Sequence, residues 1–209
     1  MEHFYDKDYY EHGVAKGISG YDHYRWLPEL TLPMAHELVV QLDIKKTDKV
    51  LDYGCAKGYL VKALRMLHYD AWGTDISRYA IESAPLEVTP FLTLLDATTP
   101  LEKQLSRYDW VLSKDVLEHV PYAILPSVLK GFRAIAKNAF VAVPLGDGRQ
   151  YNIPEYENDI THIIREDMCW WENAFKDAGF SVVKAEYKMP YIKANWEHHK
   201  NGNGFFVLR

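Results

Sequence analysis

The stretch Val50-Leu51-Asp52-Tyr53-Gly54-Cys55-Ala56-Lys57-Gly58 decides the fold. Its first residues read as a short buried strand with an acid near its end. Its last residues read as a tight loop of small residues, in which Gly54 and Gly58 can take positive φ and leave the backbone open to a ligand. A helix is expected from Tyr59, because Leu60, Ala63, Leu64 and Leu67 fall on one face. Strand, glycine loop and helix N-terminus together form a cradle for a nucleotide-like group at the carboxyl end of a sheet. The dinucleotide register G-x-G-x-x-G is not met, since Tyr59 stands where the closing small residue belongs.

Working outward, further acids recur at strand ends. Ala71 to Asp75 reads as a second strand, and Asp75 lies 23 residues beyond Asp52. An acid so placed accepts hydrogen bonds from ribose hydroxyls. Val88 to Leu95 reads as a third strand, closed by Asp96-Ala97-Thr98. Tyr108 to Ser113 is the fourth, followed by Lys114-Asp115-Val116-Leu117-Glu118-His119-Val120. Three consecutive strands ending in acids are a far more specific pattern than any one of them.

The acid-x-Gly-x-Ala-x-Gly loop resembles motif I of the class I S-adenosylmethionine-dependent methyltransferases, with Ala56 in place of the middle glycine. Leu117-Glu118-His119-Val120 resembles a segment after the fourth strand of many small-molecule members. The resemblance runs from about Lys49 to the C-terminus. It implies S-adenosylmethionine as cofactor and S-adenosylhomocysteine as product. It places Asp52, Gly54, Cys55, Ala56 and Gly58 in the cofactor loop, Asp75 and Ile76 at the ribose, Asp96 and Ala97 at the adenine, and Lys114 beside the methionine end. No Asn-Pro-Pro-Tyr or Asp-Pro-Pro-Phe follows the fourth strand, so methylation of a nucleobase or glutamine amide is not indicated.

The remaining segments complete an α/β pattern. A helix is expected to begin at Pro33, with Met34, Ala35, Leu38, Val39 and Leu42 buried; another spans Pro121 to Ala136; a third follows Glu166 and Asp167. Ala139 to Val143 is a fifth strand. Phe180 to Tyr187 and Gly204 to Leu208 are the sixth and seventh, joined without a helix and therefore antiparallel. The expected fold is a seven-stranded, mostly parallel sheet with helices on both faces, the last strand antiparallel, in one domain over 1–209. Residues 33–209 form its core. Residues 1–32, with Phe4, Tyr5, Tyr9, Tyr10, Tyr21, Tyr24 and Trp26, read as an aromatic cap over the cofactor.

Methyl transfer to a hydroxyl or protonated amine needs a base in reach. His119, just past the fourth strand, is the first candidate and His162 the second. Asp115, Glu118 and His119 have the spacing of an acid-x-x-Glu-His metal set that a minority of related enzymes use, with Asp115, a shorter side chain, where that set has Glu; one turn of helix would bring Asp115 and Glu118 together, and His162 is the candidate for a fourth ligand. Charges at a helix N-terminus explain the same residues without an ion, and no metal is assigned. A catalytically silent S-adenosylmethionine-binding subunit would carry the same cofactor residues.

A net charge of −5 gives no general attraction to nucleic acid. No apolar run approaches the roughly 20 residues that span a membrane. The start Met1-Glu2-His3-Phe4 lacks a signal-peptide core, and Cys55 and Cys169 are too few for a disulfide framework, so a cytoplasmic setting is expected. The expected partner is a small-molecule methyl acceptor, for a monomer or homodimer.

Overall fold

In a computed structural model that describes residues 4–209, seven strands form one sheet in the order β3-β2-β1-β4-β5-β7-β6. The strands are β1 (Lys49–Tyr53), β2 (Asp70–Asp75), β3 (Leu92–Leu94), β4 (Tyr108–Lys114), β5 (Ala136–Pro144), β6 (Val182–Glu186) and β7 (Asn203–Leu208). The first five are parallel, and β7 runs antiparallel to both β5 and β6. The order reverses between β1 and β4. That reversal opens a crevice at the carboxyl ends, where ligands bind in open α/β sheets.

Both faces are covered. Along β5, Ala139, Val141 and Val143 enter one core with Leu129 and Phe132 of α7 (Leu125–Ile135) and Trp171 and Phe175 of α8 (Met168–Asp177). Phe140 and Ala142 enter the other, with Leu38 of α3 (Pro28–Gln41) and Leu60, Ala63 and Leu64 of α4 (Tyr59–Met66). Apolar residues on both sides of one strand are the signature of a parallel sheet buried on both faces.

Several element boundaries differ from the sequence expectation, β5 beginning at Ala136 and β6 spanning only Val182–Glu186 among them, and three of the differences turn on a proline. The first long helix starts at Pro28, five residues before Pro33, which lies inside it. Pro28 is equally suited to the first helical position. The turn is locked there because Thr31 donates to the Leu27 carbonyl through both its N–H (2.9 Å) and its Oγ1 (3.0 Å). Residues 121–124 form a turn ahead of α7, in which Ile124 N–H donates to the Pro121 carbonyl at 2.8 Å. In the third strand only Leu92–Leu94 pairs with β2, because Pro90 lies in a 3₁₀ turn over Thr89–Phe91 and has no N–H for a ladder.

The N-terminal segment carries two short helices, α1 (Lys7–Glu11) and α2 (Gly13–Lys16). Tyr9 and Tyr10 are buried against Ala56 and Ala80. Two smaller helices, α5 (Arg78–Glu82) and α6 (Leu101–Gln104), follow β2 and β3. Among the described residues no helix is long and apolar enough to cross a membrane.

Candidate active site

The loop after β1 is held on β2. Gly54 N–H and Cys55 N–H both donate to the Thr74 carbonyl, at 2.8 and 3.0 Å. Gly54 has φ +80°, and a Cβ there would lie 2.3 Å from Val116 Cγ2, so only glycine fits. Ala56 N–H donates to Asp75 Oδ2 at 2.7 Å, and Ser77 N–H donates to Asp75 Oδ1 at 2.7 Å. Ser77 itself caps α5 by accepting from Ala80 N–H. Asp75 therefore serves no helix as its cap and keeps lone pairs free on both oxygens. Burial raises its pKa, opposed by the N–H groups of Ser77, Ala56 and Ile76.

A cavity of about 710 Å³ opens over these strand ends, with Gly54, Ala56, Asp75, Ile76, Asp96 and Ala97 among its lining residues. Asp96 is exposed and accepts from Thr98 N–H and from the hydroxyls of Thr98 and Thr99. A second cavity, of about 920 Å³, is lined by Asp52, Cys55 and Lys114. Gly58, at φ +73°, starts α4 and lines neither. Asp52 accepts no side-chain hydrogen bond among the described residues, and burial, with Asp75 nearby, pushes its pKa up to about 7. The first cavity has the size of a site for a drug-sized ligand. Asp75 on its floor offers free carboxylate lone pairs, an acceptor set that suits a ribose. Asp52, without a partner, suits an ammonium group.

The two cavities share Tyr9, Tyr21, Gly54, Ala56, Asp115 and His119. His119 thus stands at their junction. Its Nδ1 lies 2.8 Å from Thr161 Oγ1, and that hydroxyl donates to Asp159 Oδ1 at 2.6 Å. With the hydroxyl proton committed to Asp159, Nδ1 carries the proton and Nε2 is left free. Burial, and then the neighbouring His162, lower the pKa of His119 to about 4, so the ring is neutral at pH 7. The two imidazoles lie 4.6 Å apart between centroids. His162 reaches this place because the chain after Asp159 is stitched to the segment after β4, where the N–H groups of Ile163 and Ile164 both donate to the Glu118 carbonyl. His162 Nδ1 donates to the Tyr156 carbonyl at 2.7 Å, which again leaves Nε2 free.

The expected stacking of Asp115 on Glu118 does not occur. Asp115 has φ +57°, which breaks any helical turn there, and only Leu117–His119 form a short 3₁₀ turn. Asp115 is ion-paired with Lys114 at 2.5 Å and with Lys193. Burial alone would raise its carboxyl, but the two ammonium groups hold it well below the usual range. Asp115 is thus taken by lysines, and His162 stands with Glu118 and His119 instead.

The aromatic segment closes the site from above. Tyr5, Tyr9, Tyr10 and Tyr21 line the first cavity. Glu11 accepts from Lys57 at 2.5 Å and from Tyr79 Oη at 2.9 Å, and Lys57 also donates to the Tyr24 carbonyl. Ser77 Oγ donates to the Tyr5 carbonyl, and Tyr9 Oη donates to Asp159 Oδ2 at 2.7 Å. The same Asp159 therefore anchors both the cap and the His119–Thr161 chain. Sequence reasoning missed Asp159, Thr161 and Lys193. The Asp-x-Thr spacing, which forms a local side-chain turn, was the only signal, and it is common in loops.

Residues 21–185 match the family described as a methyltransferase domain. No curated protein matches the sequence. A solved S-adenosylmethionine-dependent methyltransferase from Archaeoglobus fulgidus is 17% identical, with 87% of this chain and 96% of that one covered and a TM-score of 0.66. Magnesium protoporphyrin IX methyltransferase from Synechocystis, solved with bound S-adenosylhomocysteine, is 14% identical over 85% of this chain and 84% of that one, at a TM-score of 0.61. An S-adenosylmethionine-dependent methyltransferase from Clostridium acetobutylicum is 13% identical over 87% and 91%, also at 0.61. With the family match covering most of the chain and the strand-end cavity in place, this protein belongs to the methyltransferase-domain family and is a class I enzyme that uses S-adenosylmethionine.

Proposed function

We propose that this enzyme methylates an oxygen or nitrogen of a small molecule, with the acceptor in the second cavity and His119 handling its proton. One observation carries the reading: an imidazole with a free Nε2 stands where the two cavities meet. S-adenosylmethionine, when bound, supplies a methyl carbon already activated by sulfonium charge. The residues then need only to bind, align and exclude water, which is worth several kcal/mol of barrier. Gly54, Ala56, Asp75, Ile76, Asp96 and Ala97 hold the cofactor. Asp52 and the backbone around Cys55 and Lys114 would support its methionine end, and Gly58, which lines neither cavity, serves by turning the chain into α4. The cap, latched through Glu11 and Lys57, keeps water out.

His119 takes the acceptor's proton on Nε2. The imidazolium so formed keeps its Nδ1 proton on Thr161, whose hydroxyl rests on Asp159. This is the logic of a base oriented by a third group. Partly aromatic walls from Tyr21, Tyr24, Tyr156 and Trp196 suit a small molecule. His162 is the second candidate for the same task. Replacing His119 by Asn keeps the size and removes the base. Turnover should fall by about 10²- to 10⁴-fold while S-adenosylhomocysteine affinity stays the same. Wild-type turnover from pH 6 to 9 in His119→Asn would move the base to His162 or remove it from the mechanism.

A further inference from the structure

The Glu118 carboxyl is wholly buried in the wall of the second cavity, and neither of its oxygens makes a hydrogen bond among the described residues. A buried polar group without a partner is costly and asks for a ligand. The neighbouring lysines do not serve, since Lys114 and Lys193 are both spent on Asp115. Beside Glu118 stand His119 and His162, whose Nδ1 atoms are held by Thr161 and by the Tyr156 carbonyl. Burial keeps both rings neutral, so each offers a bare Nε2 lone pair. An ionised Glu118 and two such imidazoles make three acceptors and no donor.

One atom of each, a carboxylate oxygen and two ring nitrogens, lies within 4.8 Å of the others. Three points so spaced share a centre within about 2.8 Å of each, the length of a hydrogen bond from an ammonium. A primary ammonium carries three N–H groups for the three acceptors. A hydroxyl brings one donor and leaves two acceptors unmet, and a quaternary ammonium brings none. The charge of the wall agrees, because acidic side chains outnumber lysines and arginines there by six to three. The rest of the wall suits an apolar body behind the nitrogen. Tyr156 and Trp196 line it, and toward solvent so do Val14, Leu30 and Tyr191, which are 57%, 62% and 62% exposed.

We propose that Glu118, His119 and His162 bind the ammonium group of a primary amine with an apolar body, and that this amine is the methyl acceptor. The inference rests on reading the second cavity as the acceptor site, and it narrows that reading from oxygen or nitrogen to nitrogen. In the empty site burial, and then the Asp115 charge, raise the Glu118 pKa to about 8. The arriving ammonium therefore sends one proton from Glu118 to solvent. An N–H bond of the ammonium then breaks, its proton passes to His119 Nε2, and the electron pair stays on nitrogen. The Glu118 carboxylate stabilises the imidazolium so formed. Because His119 lines both cavities, the pair is left on the side of the first. It attacks the methyl carbon, the carbon–sulfur bond breaks toward sulfur, and a secondary ammonium and S-adenosylhomocysteine result. His119 then gives its proton to solvent.

The test uses the full chain with S-adenosylhomocysteine bound and the matched probes 2-phenylethylamine and 2-phenylethanol. Each is titrated by calorimetry at pH 7 in buffers of different ionisation enthalpy. The amine should bind about 10-fold tighter than the alcohol or better, and release close to one proton. Methylamine, which has no apolar body, should bind about 10-fold more weakly than 2-phenylethylamine or worse. Glu118→Gln keeps the size and should erase both the preference for the amine and the proton release. If that variant does not fold, His162→Asn removes one acceptor and should weaken the amine by about 5-fold or more while leaving the alcohol as it was. Equal binding of amine and alcohol, a preference that survives Glu118→Gln, or binding of neither probe overturns the inference. So does amine binding that appears only with an added divalent ion. With S-adenosylmethionine in place, methylation of the alcohol that is lost in His119→Asn would defeat the amine and leave the acceptor cavity and its base standing. An amine that competes with S-adenosylhomocysteine would defeat the reading of the second cavity itself.

Discussion

The proposed cofactor end and the proposed acceptor end of this site are built by opposite means. At the proposed cofactor end, Gly54, Ala56, Asp75 and Asp96 each sit within a few residues of a strand end; Ala56 meets Asp75 across 19 residues, and Asp75 meets Ser77 and Asp96 meets Thr98 across two. At the acceptor end, Thr161 meets His119 across 42 residues, Lys193 meets Asp115 across 78, and Tyr9 meets Asp159 across 150. Strand geometry determines the first group. The second depends on loops that must fold onto one another. Substitutions at the two ends should therefore fail differently: one set through binding and local strain, the other through positioning.

The largest expected effect is on stability, and it sits at the cofactor end. Asp52 has its pKa raised to about 7 by burial, with the Asp75 charge adding and Lys114 opposing. Its unfolded value is about 3.9. Between these values the folded chain binds the more proton, so stability falls as pH rises from about 4 to 7 and stays low above it. Asp52→Asn removes that penalty. The ligand-free variant should be more stable than wild type at pH 8 by roughly 2–4 kcal/mol, and equal to it near pH 4. Parallel curves of urea unfolding against pH would show that Asp52 is solvated or paired.

Next comes Asp75→Ala. It removes the acceptor of Ala56 N–H and Ser77 N–H together with the candidate ribose contact. S-adenosylhomocysteine affinity should fall by roughly 1.5–3 kcal/mol, the range for hydrogen bonds to a charged group. Calorimetry with unchanged affinity would place the ribose elsewhere.

How much of each end could be read in advance follows from the same contrast. Asp52, Asp75 and Asp96 announce themselves because strand periodicity places each of them, and the antiparallel β7 follows from a connection that has no helix. The metal-spacing reading of Asp115 with Glu118 fails because it assumes a helical turn, whereas Asp115 sits at φ +57°. The gathering of His162 onto His119 depends on two backbone N–H groups meeting the Glu118 carbonyl, which no local pattern encodes. The helix start at Pro28 was legible in principle, since two prolines competed for the first position and only the Leu27–Thr31 turn decides between them.

A smaller effect tests the latch between the ends. Lys57 belongs to the cofactor loop and Glu11 to the cap, and their side chains are only 9% and 16% exposed. Burial opposes the charge on Glu11, yet Lys57 and Tyr79 keep its pKa below the ordinary value. Glu11→Gln leaves Lys57 without its counter-charge and should weaken the cap by about 1–2 kcal/mol. Amide exchange should then quicken by about 5- to 30-fold over α1 and α2, while β5 stays protected. Equal changes in β5 would mean that the cap and the sheet unfold together.

The smallest effect concerns the one departure from the glycine loop. Ala56 has φ +48°, a left-handed conformation that disfavours any residue with a Cβ by about 1–2 kcal/mol. Its methyl group is nonetheless in use, buried beside Tyr9 and Tyr10 of the cap. Ala56→Gly relieves the strain, but it gives up about 0.8 kcal/mol of methyl burial and adds about 0.5–1 kcal/mol of unfolded-chain entropy. The terms nearly cancel, so the Tm should shift by less than about 3 °C in a chain of this size. Cofactor affinity should hold, because Ala56 N–H still meets Asp75. A loss of several degrees would make the methyl group an anchor of the cap. A gain of several degrees would show that the loop holds strain which the cap does not repay. Either outcome shows whether the alanine answers to the cofactor end, where it is numbered, or to the cap that rests on it.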